Sequence, residues 1–149
     1  MPIETSRRAL LLGAGGLALA AIGAAALGRR GRFETETIDP PALLGAVRSG
    51  EMLLVDIRRP DEWAQTGVAA GAAALDMRRD DFVAALEALT GGDRAQPVAL
   101  ICARGVRSNR MGARLAEAGF TRVVDVPEGM LGSAAGPGWL ARGLPVVRP

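Results

Sequence analysis

Short runs of consecutive apolar residues constrain the fold of this chain more than any other feature. Residues 52–55 and 98–101 carry no polar side chain, and Asp56 and Cys102 follow these two runs directly. Runs of this length predict strands that are buried on both faces, which is typical of parallel sheets. Residues 72–75 and residues 123–126, which are apolar except for Asp125, predict two further strands.

Helix signals lie between the predicted strands. Asp39 precedes Pro40 at the first predicted helix, an arrangement that favours an N-cap followed by proline at the first helical position. Further helices are predicted over 60–64, from Asp80 or Asp81 to Leu89, from a cap at Ser108 to about Ala118, and over 139–142. This alternation predicts an α/β domain with a mostly parallel central sheet.

The composition excludes several kinds of site. Among its 149 residues the chain has no His and one Cys. It therefore supplies no Ser-His-Asp triad, Cys-His dyad or His-ligated metal, and no disulfide or cysteine-based zinc site within the chain. All 18 basic residues are Arg, and aromatic residues make up only 3%. This pattern does not favour nucleic-acid binding, which commonly combines basic and stacking side chains.

The first 32 residues are predicted to be a targeting or anchoring segment. Residues 9–28 carry no charge, and the pair Arg7 and Arg8 stands before them. This arrangement resembles a twin-arginine export signal, which implies an exported, periplasmic domain that is either cleaved or still tethered to the membrane. The basic residues that follow favour instead an inner-membrane anchor with the domain facing the cytoplasm. A buried helix of the domain is the third interpretation, and residues 33–39 are predicted to be a linker.

The segment from Cys102 to Ser108 is the strongest candidate site. A predicted strand ends at Cys102, a short loop follows, and a helix begins, so several backbone N–H groups are expected to face one concavity. Such a concavity favours a thiolate over a thiol, as do the nearby Arg104 and Arg107. Gly105 permits the positive φ that a tight loop requires. The simpler alternative is a buried structural cysteine.

Residues 102–108 resemble the active-site loop of single-domain rhodaneses, which is often written C-R-x-G-x-R-S. The resemblance extends over about residues 40–149. It includes residues 53–58 with Glu62 and Trp63, residues 115–120, residues 128–130 and residues 143–146. A departure lies at Val68, where many members of the family have His.

The resemblance implies a rhodanese-like three-layer α/β/α domain over residues 40–149, and a sulfurtransferase. Cys102 would take a sulfane sulfur from a small anionic donor such as thiosulfate and pass it, as a persulfide, to a thiol, cyanide or a protein partner. The loop residues that would hold the persulfide are Ala103, Arg104, Gly105, Val106, Arg107 and Ser108. The resemblance also implies an ion pair between Arg58 and Glu62 that braces the wall of the site, and a supporting role for Asp56. It implies no cofactor and no metal.

Two other functions remain open from the sequence. The first is a rhodanese-like fold used without catalysis, as a binding, sulfur-delivery or redox-sensing module. The second is the oxyanion chemistry of phosphatases and arsenate reductases with related folds, in which Arg stands six residues after Cys. Arg107 stands five residues after Cys102, and this shorter loop favours a persulfide over a phosphate. The Gly-rich segment 132–138 is expected to reshape the rim of the pocket and to influence which acceptor binds.

Overall fold

A computed structural model describes residues 35–148. The predicted signal or anchor at residues 1–32 lies outside this range. Seven strands occur within the described range: β1 (Glu36–Thr37), β2 (Leu53–Asp56), β3 (Val68–Ala69), β4 (Ala72–Ala74), β5 (Val98–Ile101), β6 (Val123–Asp125) and β7 (Val146–Val147). The helices of the same range are α1 (Pro40–Arg48), α2 (Pro60–Thr66), α3 (Phe82–Leu89), α4 (Val106–Glu117) and α5 (Gly138–Ala141).

The central sheet has five strands in the order β1-β6-β5-β2-β4. Every neighbouring pair in it is parallel, and β3 pairs with β7 in a separate antiparallel ribbon. All four residues of the middle strand, β5, are buried, as the unbroken apolar run at 98–101 predicts. The prediction of an α/β fold with a mostly parallel sheet is confirmed.

Helices cover both faces of this sheet. Since successive residues of a strand point to opposite faces, each strand contributes side chains to two separate core clusters. Val55 and Leu100 belong to a core cluster with side chains of α3 and α4. Leu54 and Ile101, one residue away along the same strands, belong to a second cluster with side chains of α1 and α5. The helical residues of the two clusters are Phe82, Leu86, Met111 and Leu115 on one side, and Leu43, Leu44 and Trp139 on the other.

The predicted side-chain cap is present at the start of α1 and absent at the start of α3. Asp39 caps α1, because its Oδ1 accepts the N–H of Ala42 at 2.9 Å, and Pro40 is the first helical residue. Asp81 precedes α3 without a side-chain capping bond; its carboxylate accepts hydrogen bonds from Arg79 instead. Among the helices of residues 35–148 the longest is α4, with 12 residues, and a helix of that length reaches about 18 Å. No membrane-spanning helix is found within residues 35–148.

The interpretation of residues 33–39 as a linker needs a correction. Glu36 and Thr37 form the edge strand β1, which pairs in parallel with Val124 and Asp125 of β6. Both residues are exposed, so their side chains carry no apolar signal of a strand. The pairing involves only backbone groups, which the side-chain pattern does not reveal.

Candidate active site

The loop between β5 and α4 places Cys102 at the carboxyl edge of the central sheet. Cys102 follows Ile101 directly, and its side chain is 1% exposed. Asp56 ends the neighbouring strand β2, and Asp125 ends β6 on the other side. Ligands of open α/β sheets bind at this edge, because the loops that follow the parallel strands meet there.

The sulfur of Cys102 contacts two polar groups of the loop and of α4. The backbone N–H of Gly105 donates to Sγ at 3.1 Å. The hydroxyl oxygen of Ser108 lies 3.4 Å from Sγ, and this hydroxyl also donates to the carbonyl of Gly105 at 3.0 Å. A hydroxyl has one proton, so it can turn from the carbonyl towards a negatively charged sulfur. The arrangement therefore accommodates both a thiol and an anionic sulfur.

Gly105, and not Ser108, stands at the N-cap of α4. Its φ is +84°, a left-handed conformation that favours glycine. A side chain at this position would also overlap the carbonyl of Pro127. The predicted cap at Ser108 is wrong, because the left-handed turn at Gly105 starts the helix three residues earlier. Ser108 consequently lies buried in the first turn, where its hydroxyl reaches the sulfur.

Arg107 clamps the start of α4 to α2. Its Nη1 and Nη2 donate to the two carboxylate oxygens of Glu62 at 2.8 and 2.6 Å. Glu62 also accepts the backbone N–H of Arg59 at 3.0 Å, which supplies a partner for a free N–H group at the start of α2. The guanidinium beside Glu62 holds the pKa of that carboxyl below its ordinary value, with burial opposing. Such two-pronged pairs fix geometry as well as charge.

The ion pair implied between Arg58 and Glu62 is wrong. Arg58 pairs with Asp56, since its Nε and Nη2 donate to the two carboxylate oxygens at 3.0 and 2.7 Å. Residues 56 and 58 point to the same side of an extended chain, so Asp56 lies closer to Arg58 than Glu62 does.

The Asp56–Arg58 pair connects β2 to the end of α2. Arg58 also donates to the hydroxyl of Thr66 at 2.8 Å and to the carbonyl of Gly67 at 2.7 Å. Both charged side chains are almost completely buried, at 1% and 0% exposed. The pair thereby joins the end of β2 to the end of α2, the helix that carries Glu62, and the supporting role implied for Asp56 and Arg58 stays a prediction.

The remaining loop residues line its outer rim. Arg104 is exposed, and its Nη1 donates to the carbonyl of Gly132 at 3.0 Å. The carbonyl of Ala103 accepts the N–H of Leu131 at 2.9 Å. Val106 is 58% exposed. The Cys102 loop is thus connected to the chain that follows β6 by both side-chain and backbone hydrogen bonds.

Two acidic residues at this edge were not predicted to contribute. Glu128 is 4% exposed, and its carboxylate accepts the N–H of Gly138 at 2.9 Å and two bonds from Arg142 at 2.8 and 2.7 Å. It thereby joins the chain after β6 to Gly138, where the Gly-rich segment ends, and to Arg142, which follows α5. Asp125 is 3% exposed and faces the start of α4. The position of Asp125 within an apolar run that predicts a strand is a sequence signal that could have placed it at this edge. The residues next to Glu128 carry no such local signal.

Comparison with known proteins identifies the family. The profile of the family described as Rhodanese-like domain matches residues 39–135. The comparison with curated proteins gives no match.

Solved structures share the fold at low sequence identity. The rhodanese-like domain of an Anabaena protein is 20% identical with a TM-score of 0.59, over 76% of this chain and 79% of that one. The polysulfide-sulfur transferase homodimer of Wolinella succinogenes is 24% identical with a TM-score of 0.55, over 88% of each chain. A Rhodopseudomonas palustris protein of unknown function, described as a possible tyrosine phosphatase, is 20% identical with a TM-score of 0.58, over 99% of each chain. At these identities the likeness concerns the fold.

The buried pair at β2 predicts a large loss of stability when one partner is removed. Arg58→Ala leaves the Asp56 carboxylate buried without its counter-ion, so the free energy of unfolding should fall by about 3–5 kcal/mol. Arg78→Ala is a matched control, because Arg78 pairs with Asp76 at the same two-residue spacing but is 62% exposed. It should cost at most about 1 kcal/mol. Urea denaturation measures both, and equal losses would refute the assignment.

The Glu62–Arg107 clamp predicts a specific sensitivity to acid. A carboxyl whose folded pKa is depressed stabilises the fold above its ordinary pKa of 4.5, and this contribution disappears as the pH falls through the lower folded value. Between about pH 5 and pH 3, the unfolding free energy of the wild type should fall about 1 kcal/mol further than that of Glu62→Gln.

Urea denaturation at a series of pH values measures this difference. Glu87→Gln provides the comparison, because Glu87 pairs with Arg94 on the surface and its removal should change the pH profile less. Parallel profiles for the wild type and Glu62→Gln would contradict the clamp.

Proposed function

Because the chain belongs to the family of rhodanese-like domains, we propose that it is a sulfurtransferase that carries a sulfane sulfur on Cys102. The hydrogen bond from the Gly105 N–H to Sγ is the observation that carries the proposal. It shows that the loop curls towards the sulfur, so an anionic sulfur there is stabilised by a fixed dipole. The polysulfide-sulfur transferase of Wolinella succinogenes, with the same fold, is consistent with this chemistry.

The loading step requires only the thiolate and the donor. The Cys102 thiolate attacks the outer sulfur of thiosulfate, the S–S bond of the donor breaks, and sulfite leaves with the electron pair. Cys102 then carries a persulfide anion. In the second step a thiolate or cyanide attacks the outer sulfur, and the electron pair of the broken S–S bond returns to Sγ. Neither step needs a metal or a histidine base.

The loop residues divide the work of the proposed reaction. Gly105 and Ser108 contact the sulfur and stabilise its negative charge. Arg107 is held by Glu62 and keeps the start of α4 in place. Arg104 lies exposed at the rim, where its charge raises the local concentration of an anionic donor.

Intact-mass measurement tests the persulfide. The full chain, reduced and then incubated with thiosulfate, should gain one sulfur atom, and cyanide or a thiol should remove it. Cys102→Ser should gain none. Ser108→Ala serves as a graded variant: the sulfur should still be gained, but loading should slow by about tenfold, because one hydrogen bond to the anionic sulfur is lost.

A folded wild type that gains no sulfur from thiosulfate or from a protein persulfide would overturn the sulfurtransferase proposal. That result would favour the alternative of a binding or redox-sensing module. A mass gain in Cys102→Ser, which has no thiol, would show that the added mass is not a persulfide and would contradict the proposal.

We also propose that residues 1–32 direct export, with the domain released into the periplasm or tethered to the membrane. The support is the sequence pattern alone: Arg7 and Arg8 precede twenty uncharged residues, 9–28.

In a bacterium with the twin-arginine pathway, the chain should appear in the periplasm or at the outer side of the inner membrane. The double variant R7K/R8K should remain inside the cell. Protease shielding of the wild-type domain on the cytoplasmic side would support the anchor instead.

A further inference from the structure

A pocket of about 560 Å³ adjoins the Cys102 loop. Its walls come from the end of β6, the first turn of α4 and the rim segment after Pro127. Arg104 and Gly105 belong both to this pocket and to the loop that holds the sulfur. Since the N–H of Gly105 contacts Sγ, a molecule in the pocket lies next to the residue that binds the sulfur. The volume is in the range of small-molecule sites.

Asp125 lines this pocket, and one of its two carboxylate oxygens lacks a hydrogen-bond partner within the described residues. Its side chain is 97% buried, and its Oδ1 has no hydrogen-bond partner within residues 35–148. Burial raises the pKa of the Asp125 carboxyl, and hydrogen bonding from Ser108, from the backbone of Val126 and from Asn109 opposes this shift. A buried carboxylate oxygen without a donor costs free energy. A ligand that brings an ammonium or another donor to Oδ1 removes this cost.

Positive charge lines the same pocket. Arg104 and Arg110 both contribute to its walls and are exposed. Neither forms an ion pair with a carboxylate in the part of the chain that the structure describes. Guanidinium groups bind carboxylates strongly and directionally. The carboxylate of Asp125 repels a purely anionic ligand, and the two arginines repel a purely cationic one. The pocket therefore favours a molecule that carries both charges.

We propose that this pocket binds the sulfur acceptor, and that the acceptor is a small thiol of the amino-acid type. Its ammonium group binds Asp125, and its carboxylate binds the guanidinium groups at the rim. The assignment of the ligand as an acceptor rests on the proposed function of Cys102. Asp125 and Arg110 are thereby residues that determine acceptor specificity.

The transfer from Cys102 to such a thiol balances without a further reactant. The acceptor thiolate attacks the outer sulfur of the Cys102 persulfide, and a new S–S bond forms between acceptor and sulfur. The bond between the outer sulfur and Sγ breaks, and its electron pair stays on Sγ as the thiolate. The acceptor leaves as a persulfide, and no oxidant or reductant is consumed.

Four thiols separate the two charges of the acceptor. Cysteine carries both groups, cysteamine only the amine, 3-mercaptopropionate only the acid, and 2-mercaptoethanol neither. With the full chain loaded from thiosulfate, Asp125→Asn should raise the KM for cysteine and cysteamine by about tenfold relative to the other two thiols. Arg110→Gln should raise the KM for cysteine and 3-mercaptopropionate by about threefold.

Asp80→Asn, on an exposed turn, is the matched control. Each variant is compared with the wild type for the same thiol, so differences in thiol reactivity cancel.

A binding measurement tests the pocket independently of sulfur transfer. S-methylcysteine carries both charges but no nucleophilic thiol, and calorimetry should show that it binds the unloaded wild type and not Asp125→Asn. Binding without any persulfide formation would refute the proposed function and leave the pocket standing. The acceptor site would be overturned if Asp125→Asn changed the KM of all four thiols by the same factor. It would also be overturned if S-methylcysteine did not bind the wild type. No binding of S-methylcysteine is the result expected if the Arg110 guanidinium itself forms an ion pair with Asp125 and fills the pocket. Arg110→Gln changes an exposed residue and keeps the test valid if Asp125→Asn does not fold.

Discussion

The parallel pairing of β5 with β2 and β6 is the constraint on which the rest of the structure depends. Its register places Asp56 beside Ile101 and Asp125 beside Leu100, so the carboxyl ends of all three strands lie within two residues of a common level. The strands on both sides of β5 therefore end in an acidic residue just before the level of Cys102. Asp125, level with Leu100, lies on the same face of the sheet as Cys102, whereas Asp56, level with Ile101, lies on the opposite face. The four residues of β5 are apolar and buried, so the first reactive side chain along this part of the chain is Cys102, directly after the strand.

Arginine supplies every described two-pronged brace around this edge. Arg58 holds Asp56, Arg107 holds Glu62, and Arg142 holds Glu128. Each guanidinium spans two acceptors of its carboxylate, and Arg58 additionally binds a hydroxyl and a backbone carbonyl. A planar group with five N–H donors can satisfy such a set, whereas a lysine ammonium cannot match its geometry. The pairs of Arg107 and Arg142 connect α2, the start of α4 and the chain after β6 around the Cys102 loop, and the pair of Arg58 connects β2 to the end of α2.

The rim segment gives this domain its particular pocket. Glu128 ties Gly138 and Arg142 together, and the hydroxyl of Ser133 donates to the carbonyl of Pro127 at 2.7 Å. These bonds hold the Gly-rich segment near the pocket that Asp125 lines. The proposed carrier of the sulfur and the pocket proposed for its acceptor thus share Arg104 and Gly105. The two proposals remain separable, because the first depends on Cys102 and the second on Asp125 and Arg110.

The sequence by itself determined the local elements and the chemical candidates. The apolar runs at 52–55 and 98–101 predicted β2 and β5, Asp39 and Pro40 predicted the start of α1, and the segment that begins at Cys102 predicted the site at the end of a strand. These features depend on neighbouring residues, so a one-dimensional pattern records them. Only the tertiary structure decided that Glu62 pairs with Arg107, 45 residues away, that Gly105 starts α4, and that Asp125 faces a pocket. It also decided that Glu36–Thr37 form an edge strand. Contacts of this kind are set by the register of distant strands and the packing of loops above them, for which no local pattern of side chains is diagnostic.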